Sequence, residues 1–223
     1  MKNKLKMLNL ALVLAILFGV MGMMPKPVEA QFTGLVINEI DYDQDSTDTA
    51  EFIELKNNGT SSVNLIEYSL EIINGSGGGA SIAQTITLSD VSLAAGDYYV
   101  VCANVSTVAN CDQDVNPDSN LIQNGAPDAV GLRHIADLVD TVSYEGDTGA
   151  PYTEGSGAGL EDVASVDGSI QRCPDGVDTD QNNVDFVFAE PPTPGVSNAC
   201  TPPVPEVVIN EIMQNPSVVS DSN

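Results

Sequence analysis

Beyond residue 33 the chain alternates between short apolar runs and polar, turn-forming clusters. The apolar runs predict β-strands at Leu35–Ile40, Glu51–Leu55, Leu70–Ile73, Ile82–Leu88, Tyr98–Ala103, Ala129–Arg133, Leu138–Tyr144 and Asp185–Phe188. Several runs have a period of two: in Glu51-Phe52-Ile53-Glu54-Leu55, Phe52 and Ile53 point to opposite faces. Between the runs lie Asn57-Asn58-Gly59, Asn74 to Gly79, Ala95-Gly96-Asp97 and Asn124-Gly125, all turn chemistries. Three Asn residues in or near such clusters, Asn58, Asn74 and Asn104, sit in Asn-x-Ser/Thr triplets, which turn chemistry explains without a glycan. No stretch after residue 33 sustains an apolar period of 3.6. Many short strands separated by turns predict an all-β domain, a sandwich or a barrel. Glu145–Ser169, poor in large apolar residues, reads as an extended surface loop.

The N-terminal pattern is different in kind. Lys2, Lys4 and Lys6 precede an apolar run from Leu10 to Met24, and Val28-Glu29-Ala30 is a small-x-small cleavage site. Residues 1–30 are therefore expected to be a signal peptide cut after Ala30. An uncleaved anchor is the competing reading, because the run approaches the length of a spanning helix; Pro25 and Pro27 break it just before the cleavage site. No cysteine stands directly after that site to carry a lipid. The expected location is secreted or cell-surface, with no membrane contact after cleavage.

The leader also holds most of the positive charge. Four of the seven basic residues (Lys2, Lys4, Lys6, Lys26) and one of the 32 acids (Glu29) lie in it. The exported chain keeps Lys56, Arg133 and Arg172 against 31 acids, a net charge of −28. Such a surface repels phosphate backbones, so direct nucleic-acid binding is excluded as a function class. The charge suits a soluble extracellular monomer, with cation binding as the sharper alternative.

Four cysteines, Cys102, Cys111, Cys173 and Cys200, all lie in the exported part. An even number in an oxidising compartment predicts two disulfides, and local spacing favours Cys102–Cys111 with Cys173–Cys200 among three pairings. Zinc is disfavoured because no CxxC spacing occurs and His134 is the only histidine.

Residues 31–200 are expected to form one domain. Thr201-Pro202-Pro203-Val204-Pro205 reads as a stiff linker. Val207-Val208-Ile209-Asn210-Glu211-Ile212 then repeats the pattern of Leu35-Val36-Ile37-Asn38-Glu39-Ile40, so residues 206–223 read as the start of a truncated second copy. The chain is expected to be a piece of a longer multi-domain protein.

Ile37-Asn38-Glu39-Ile40 with Glu51-Phe52-Ile53-Glu54-Leu55-Lys56-Asn57 after it resembles the opening of the lamin tail domain as it occurs in bacterial exported proteins. The order continues through Val63–Leu70, Leu93–Val101, Leu138–Gly146 and Pro192–Asn198. Where that family often has Gly-Trp this chain has Glu67-Tyr68, and it contains no tryptophan. The resemblance implies an immunoglobulin-like β-sandwich used as an interaction surface in nuclear lamins and as an accessory module in bacteria. By the same resemblance, such modules often precede exported metal-dependent nuclease or phosphatase domains of the endonuclease/exonuclease/phosphatase type, so an alternative function is the N-terminal accessory piece of such an enzyme.

Candidate chemistry within the chain is thin. His134, in Gly131-Leu132-Arg133-His134-Ile135, has no recognisable triad or metal motif and reads as a surface or edge-strand residue. No cofactor and no catalytic residue are expected. Acids cluster at Asp41, Asp43, Asp45 and Asp48, at Asp112, Asp114 and Asp118, and at Asp175–Asp185. In the last cluster Asp178, Asp180 and Asn182 repeat the 1,3,5 oxygen spacing of a calcium loop, although Asn183 stands where such a loop needs Gly. Turn-closing acids and a calcium site are the two readings. The partner expected is an extracellular protein or a cell surface. For export, the expected intact mass of the secreted chain begins at Gln31; a species retaining Met1 would indicate an anchor.

Overall fold

The computed structural model describes residues 34–76 and 79–200. The expected leader with its cleavage site, the expected linker at 201–205 and the expected second copy at 206–223 lie outside them. The described residues form twelve strands: β1 (Leu35–Asp41), β2 (Phe52–Asn57), β3 (Val63–Asn64), β4 (Tyr68–Asn74), β5 (Ser81–Thr87), β6 (Ser92–Leu93), β7 (Tyr98–Cys102), β8 (Gln113–Asp114), β9 (Asp128–His134), β10 (Asp137–Tyr144), β11 (Ser169–Arg172) and β12 (Phe186–Ala189). A 3-10 turn at Leu65–Glu67 and one helical turn, α1 (Asn182–Asp185), complete them. No helix among the described residues is long and apolar enough to cross a membrane.

Two sheets make the sandwich, one with the order β12-β11-β1-β2-β7-β8 and one with β10-β9-β4-β5, beside a two-stranded β3-β6 ribbon. This is the expected immunoglobulin-like all-β architecture. Leu35, Ile37, Ile40, Ile53, Leu55, Tyr99, Val101 and Ile170 of the first sheet bury themselves against Leu70, Ile72, Val130, Leu132, Val142 and Tyr144 of the second. Alternation along β1 is broken once: the register against β2 shifts between Ile37 and Glu39. A bulge at Asn38 thus lets Leu35 and Ile37, then Ile40 and Tyr42, all face the core. At the turns, Asn57, Asn64, Asn74 and Asn104 accept through Oδ1 from the amide two residues on, the side-chain turn that favours Asn there.

The outer face of the larger sheet is not solvated. Phe52, Val100, Cys102 and Val108 form a second apolar cluster there, so Phe52 and Ile53 do serve opposite faces. The rest of that face carries Asn38, Glu39, Glu54, Ser169 and Gln171, all buried. They are covered by the chain after β11, residues 174–178 and 191–199, which returns across the sheet. Both disulfides have the local pairing: Cys102–Cys111 closes the loop after β7, and Cys173–Cys200 ties the end of the returning segment to the end of β11.

One element differs from the sequence expectation. Glu145–Ser169 holds no strand before Ser169, as expected, yet it buries Thr148, Tyr152, Leu160 and Asp162, so it is a packed wall of the domain. Tyr68, where the family often has Trp, packs against the core from a partly buried position and stacks on His134, ring centroids 4.6 Å apart.

Candidate functional site

The densest polar chemistry surrounds Arg172. β11 ends by turning this side chain inward, where it is wholly buried. Nε donates to the Ile37 carbonyl at 2.8 Å. Nη2 donates to both oxygens of Asp140 at 3.1 Å, and Nη1 to Asp178 Oδ1 at 3.0 Å, Asp185 Oδ2 at 3.3 Å and the Val177 carbonyl at 3.2 Å. The Phe186 ring lies 4.5 Å from the guanidinium carbon. Each nitrogen of the fork has an acceptor, the condition under which a buried charge is tolerated. The carboxylates are held in turn: Asp140 Oδ2 accepts the Ile37 amide at 2.6 Å, and Asp185 accepts the Thr179 amide and hydroxyl.

Asp140, Glu154 and Asp178 each bring an oxygen within 4.8 Å of one another, which is the geometry of a three-ligand metal cluster. Here the positive charge is already present, because Arg172 donates to two of the three. Glu154 accepts the Thr141 amide at 3.2 Å. Burial and the neighbouring Asp140 and Asp178 charges raise its pKa, favouring the neutral carboxyl.

The calcium-spaced residues meet different partners. Asp178 Oδ1 accepts from Arg172 and from the Asp180 amide at 3.1 Å. Asn182 is buried and uses both ends of its amide: Oδ1 accepts the Ser143 amide at 3.0 Å and the Glu154 amide at 3.2 Å, while Nδ2 donates to the Thr141 carbonyl at 2.7 Å. Asp180 is exposed on the turn between them. Asp178 and Asn182 face different partners, so the 1,3,5 spacing closes a turn onto the arginine cage.

A second polar constellation lies under the returning segment. Glu39 Oε1 accepts from Ser169 Oγ at 2.5 Å and the Thr193 amide at 2.7 Å, and Oε2 from Thr193 Oγ1 at 2.7 Å. Glu54 takes Asn38 Nδ2 at 2.8 Å and the Gly195 amide at 2.6 Å. Asn38 Oδ1 accepts the Gly176 amide, and its carbonyl accepts Asn198 Nδ2 at 2.9 Å. Asp175 receives Lys56, Tyr98 and Ser197 on one oxygen and Asn38 on the other. The Asn-Glu of β1 and the Glu of β2, the most recognisable residues of the sequence, therefore hold this roof down.

His134 lies at the end of β9, an inner strand, half-exposed, with Nε2 3.3 Å from Glu67 Oε2. The pair has no Ser, Thr or Cys bonded to it among the described residues, so it lacks a nucleophile.

The buried carboxyls of the domain set two expectations. Arg172→Met leaves Asp140, Asp178 and Asp185 buried without a counter-charge and is expected to cost about 3–5 kcal/mol, a fall of roughly 10 °C in melting midpoint. Thermal melts at pH 7.5 check it. In wild type, burial raises Glu51 from 4.5 to about 7 and Glu54 from 4.5 to about 8. A carboxyl raised on folding stabilises fully below its unfolded value and loses that contribution as pH rises through the folded value. With chelator present, the melting midpoint is expected to decline between about pH 5 and pH 8.

Comparison with known proteins agrees with this architecture. A family model described as Lamin Tail Domain matches residues 29–146, more than half of the chain. No curated protein matches it. The matched span ends just past β10, whereas the sandwich also uses β11, which pairs with β1 and carries Arg172. The chain belongs to the lamin tail domain family.

Proposed function

We propose that this chain is a non-catalytic interaction module, serving adhesion, targeting or spacing within a larger secreted or cell-surface protein, with an extracellular protein or cell surface as partner. The observation that carries the reading is the use made of the polar side chains. Those that could do chemistry, around Arg172 and under the roof, are sealed inside and consumed by hydrogen bonds that hold the fold together. Catalysis needs a reactive group beside a base and open to substrate, and the half-exposed acid–base pair, His134 with Glu67, has no nucleophile.

A binding role is supported by the end of the sandwich where β1 begins. Ile66 and Ile135 are 49 % and 72 % exposed there, and the Ile135 amide donates to the Glu67 carbonyl at 2.8 Å, holding the two tips together. Ile135 has φ of +55°, a backbone state that a β-branched residue adopts at a cost. An exposed, strained isoleucine beside the Tyr68–His134 stack does nothing for the core and suits a contact surface.

The test assays the purified chain against single- and double-stranded DNA, phosphomonoesters and casein, with magnesium, manganese, calcium and zinc in turn. No turnover above buffer is expected. Metal-dependent cleavage abolished by His134→Ala would overturn the reading.

A further inference from the structure

Among the described residues, every Lys and Arg is engaged: Lys56 with Asp175, Arg133 with Glu71, and Arg172 in its cage. None stands at the end of the sandwich where β1 finishes. That end collects Asp41, Asp43, Asp48, Glu51, Glu145 and Asp162, and four of these are nearly buried: Asp41 at 4 % exposure, Asp48 at 5 %, Glu51 at 0 % and Asp162 at 2 %.

Two of the four are closed by donors on both oxygens. Glu51 takes the Leu121 and Ile122 amides at 2.6 and 3.0 Å, and Asp48 takes the Gln44 amide and Asn124 Nδ2. Asp41 Oδ1 takes Gln44 Nε2 at 2.5 Å. Asp162 is closed on one side only: Oδ2 accepts the Tyr42 amide at 2.8 Å and the Asp43 amide at 3.2 Å. Its Oδ1 is the single buried side-chain nitrogen or oxygen among the described residues without a hydrogen-bond partner. Acids act on this carboxylate and on its neighbour, Asp43 on Asp162 and Asp162 on Asp41. A buried carboxylate oxygen with no donor and like charges beside it is costly, and the protein brings no basic side chain to it.

We propose that Asp162 Oδ1 and the Asp41 carboxylate at the end of β1 hold a hard divalent cation, calcium by its chemistry. The donors are all oxygen, with no His or Cys in the set, which selects against zinc and copper. Two carboxylates leave the remaining places to carbonyl and water oxygens from irregular chain, a flexible and numerous set that suits calcium better than the strict octahedron of magnesium. A cleft of about 240 Å³, lined by Asp41, Ala50, Phe52, Asp167 and Pro194 among others, opens onto Asp41. This site is separate from Asp178, Asp180 and Asn182, whose turn serves Arg172. It is also independent of what the module binds.

The experiment is a thermal melt of the purified chain at pH 7.5 and constant ionic strength, in chelator, in millimolar calcium and in millimolar magnesium, with a calorimetric titration of calcium into wild type. Calcium is expected to raise the midpoint by about 5–10 °C at saturation and to bind with a dissociation constant on the order of 0.1–1 mM; magnesium is expected to do neither. Asp162→Asn is expected to abolish the shift while keeping a cooperative melt, and Asp41→Asn serves the same purpose should that variant fail to fold. Asp180→Asn should retain the full shift. The proposal is overturned by no calcium effect on wild type, by an equal effect of magnesium, by an undiminished shift in both Asp162→Asn and Asp41→Asn, or by loss of the shift in Asp180→Asn.

Discussion

The sandwich depends on one buried guanidinium. Arg172 is the point at which β11 is joined to β1, β10 and the 177–185 turn, and each of these three contributes an acceptor that would otherwise be an uncompensated charge or an unpaired carbonyl in the interior. Apolar contact between the sheets is generic and would tolerate sliding. A planar fork facing Asp140, Asp178 and Asp185 tolerates very little, because displacement leaves both partners desolvated and alone. The cage therefore supplies registration, and the apolar core supplies most of the driving force.

This division explains why a chain with so few cations folds at all. With 32 acids against seven basic residues, random pairing would leave most carboxylates facing solvent. Instead, the three Lys and Arg of the described domain are spent where acids must be buried, and most of the other buried acids are held by backbone amides, hydroxyls and side-chain amides. The signature residues Glu39 and Glu54 belong to this second group, and Asn38 supplies one of its side-chain amides. Their apparent polarity marks a covered face, which is why a family pattern can be strong without marking an active site.

Most strands are legible in the sequence because large apolar residues recur at the right period. β11 is not, since Ser169-Ile170-Gln171-Arg172 has a single aliphatic residue and its polar side chains are buried only because a distant segment returns over them. The same blindness applies to Asp178 and Asn182: the spacing of their oxygens is readable, but whether those oxygens face an ion, an arginine or a backbone amide is fixed by residues up to 41 positions away. Arg172 does carry a signal, being one of only three basic residues after the leader and adjacent to a cysteine. The importance of Asp140 and Asp162, two acids among many, has none. Local disulfide pairing is readable because short loops bring their ends together at small entropic cost.

The Cys173–Cys200 bond changes how the domain would carry a mechanical load. Tension applied to the chain beyond Cys200 passes through sulfur to Cys173 and into β11, which is hydrogen-bonded to β1 and anchored by Arg172. The residues between the two cysteines, including the roof over Asn38, Glu39 and Glu54, lie in a slack branch that feels none of the pull. A module built this way can be tugged from its C-terminal side without peeling its own cover.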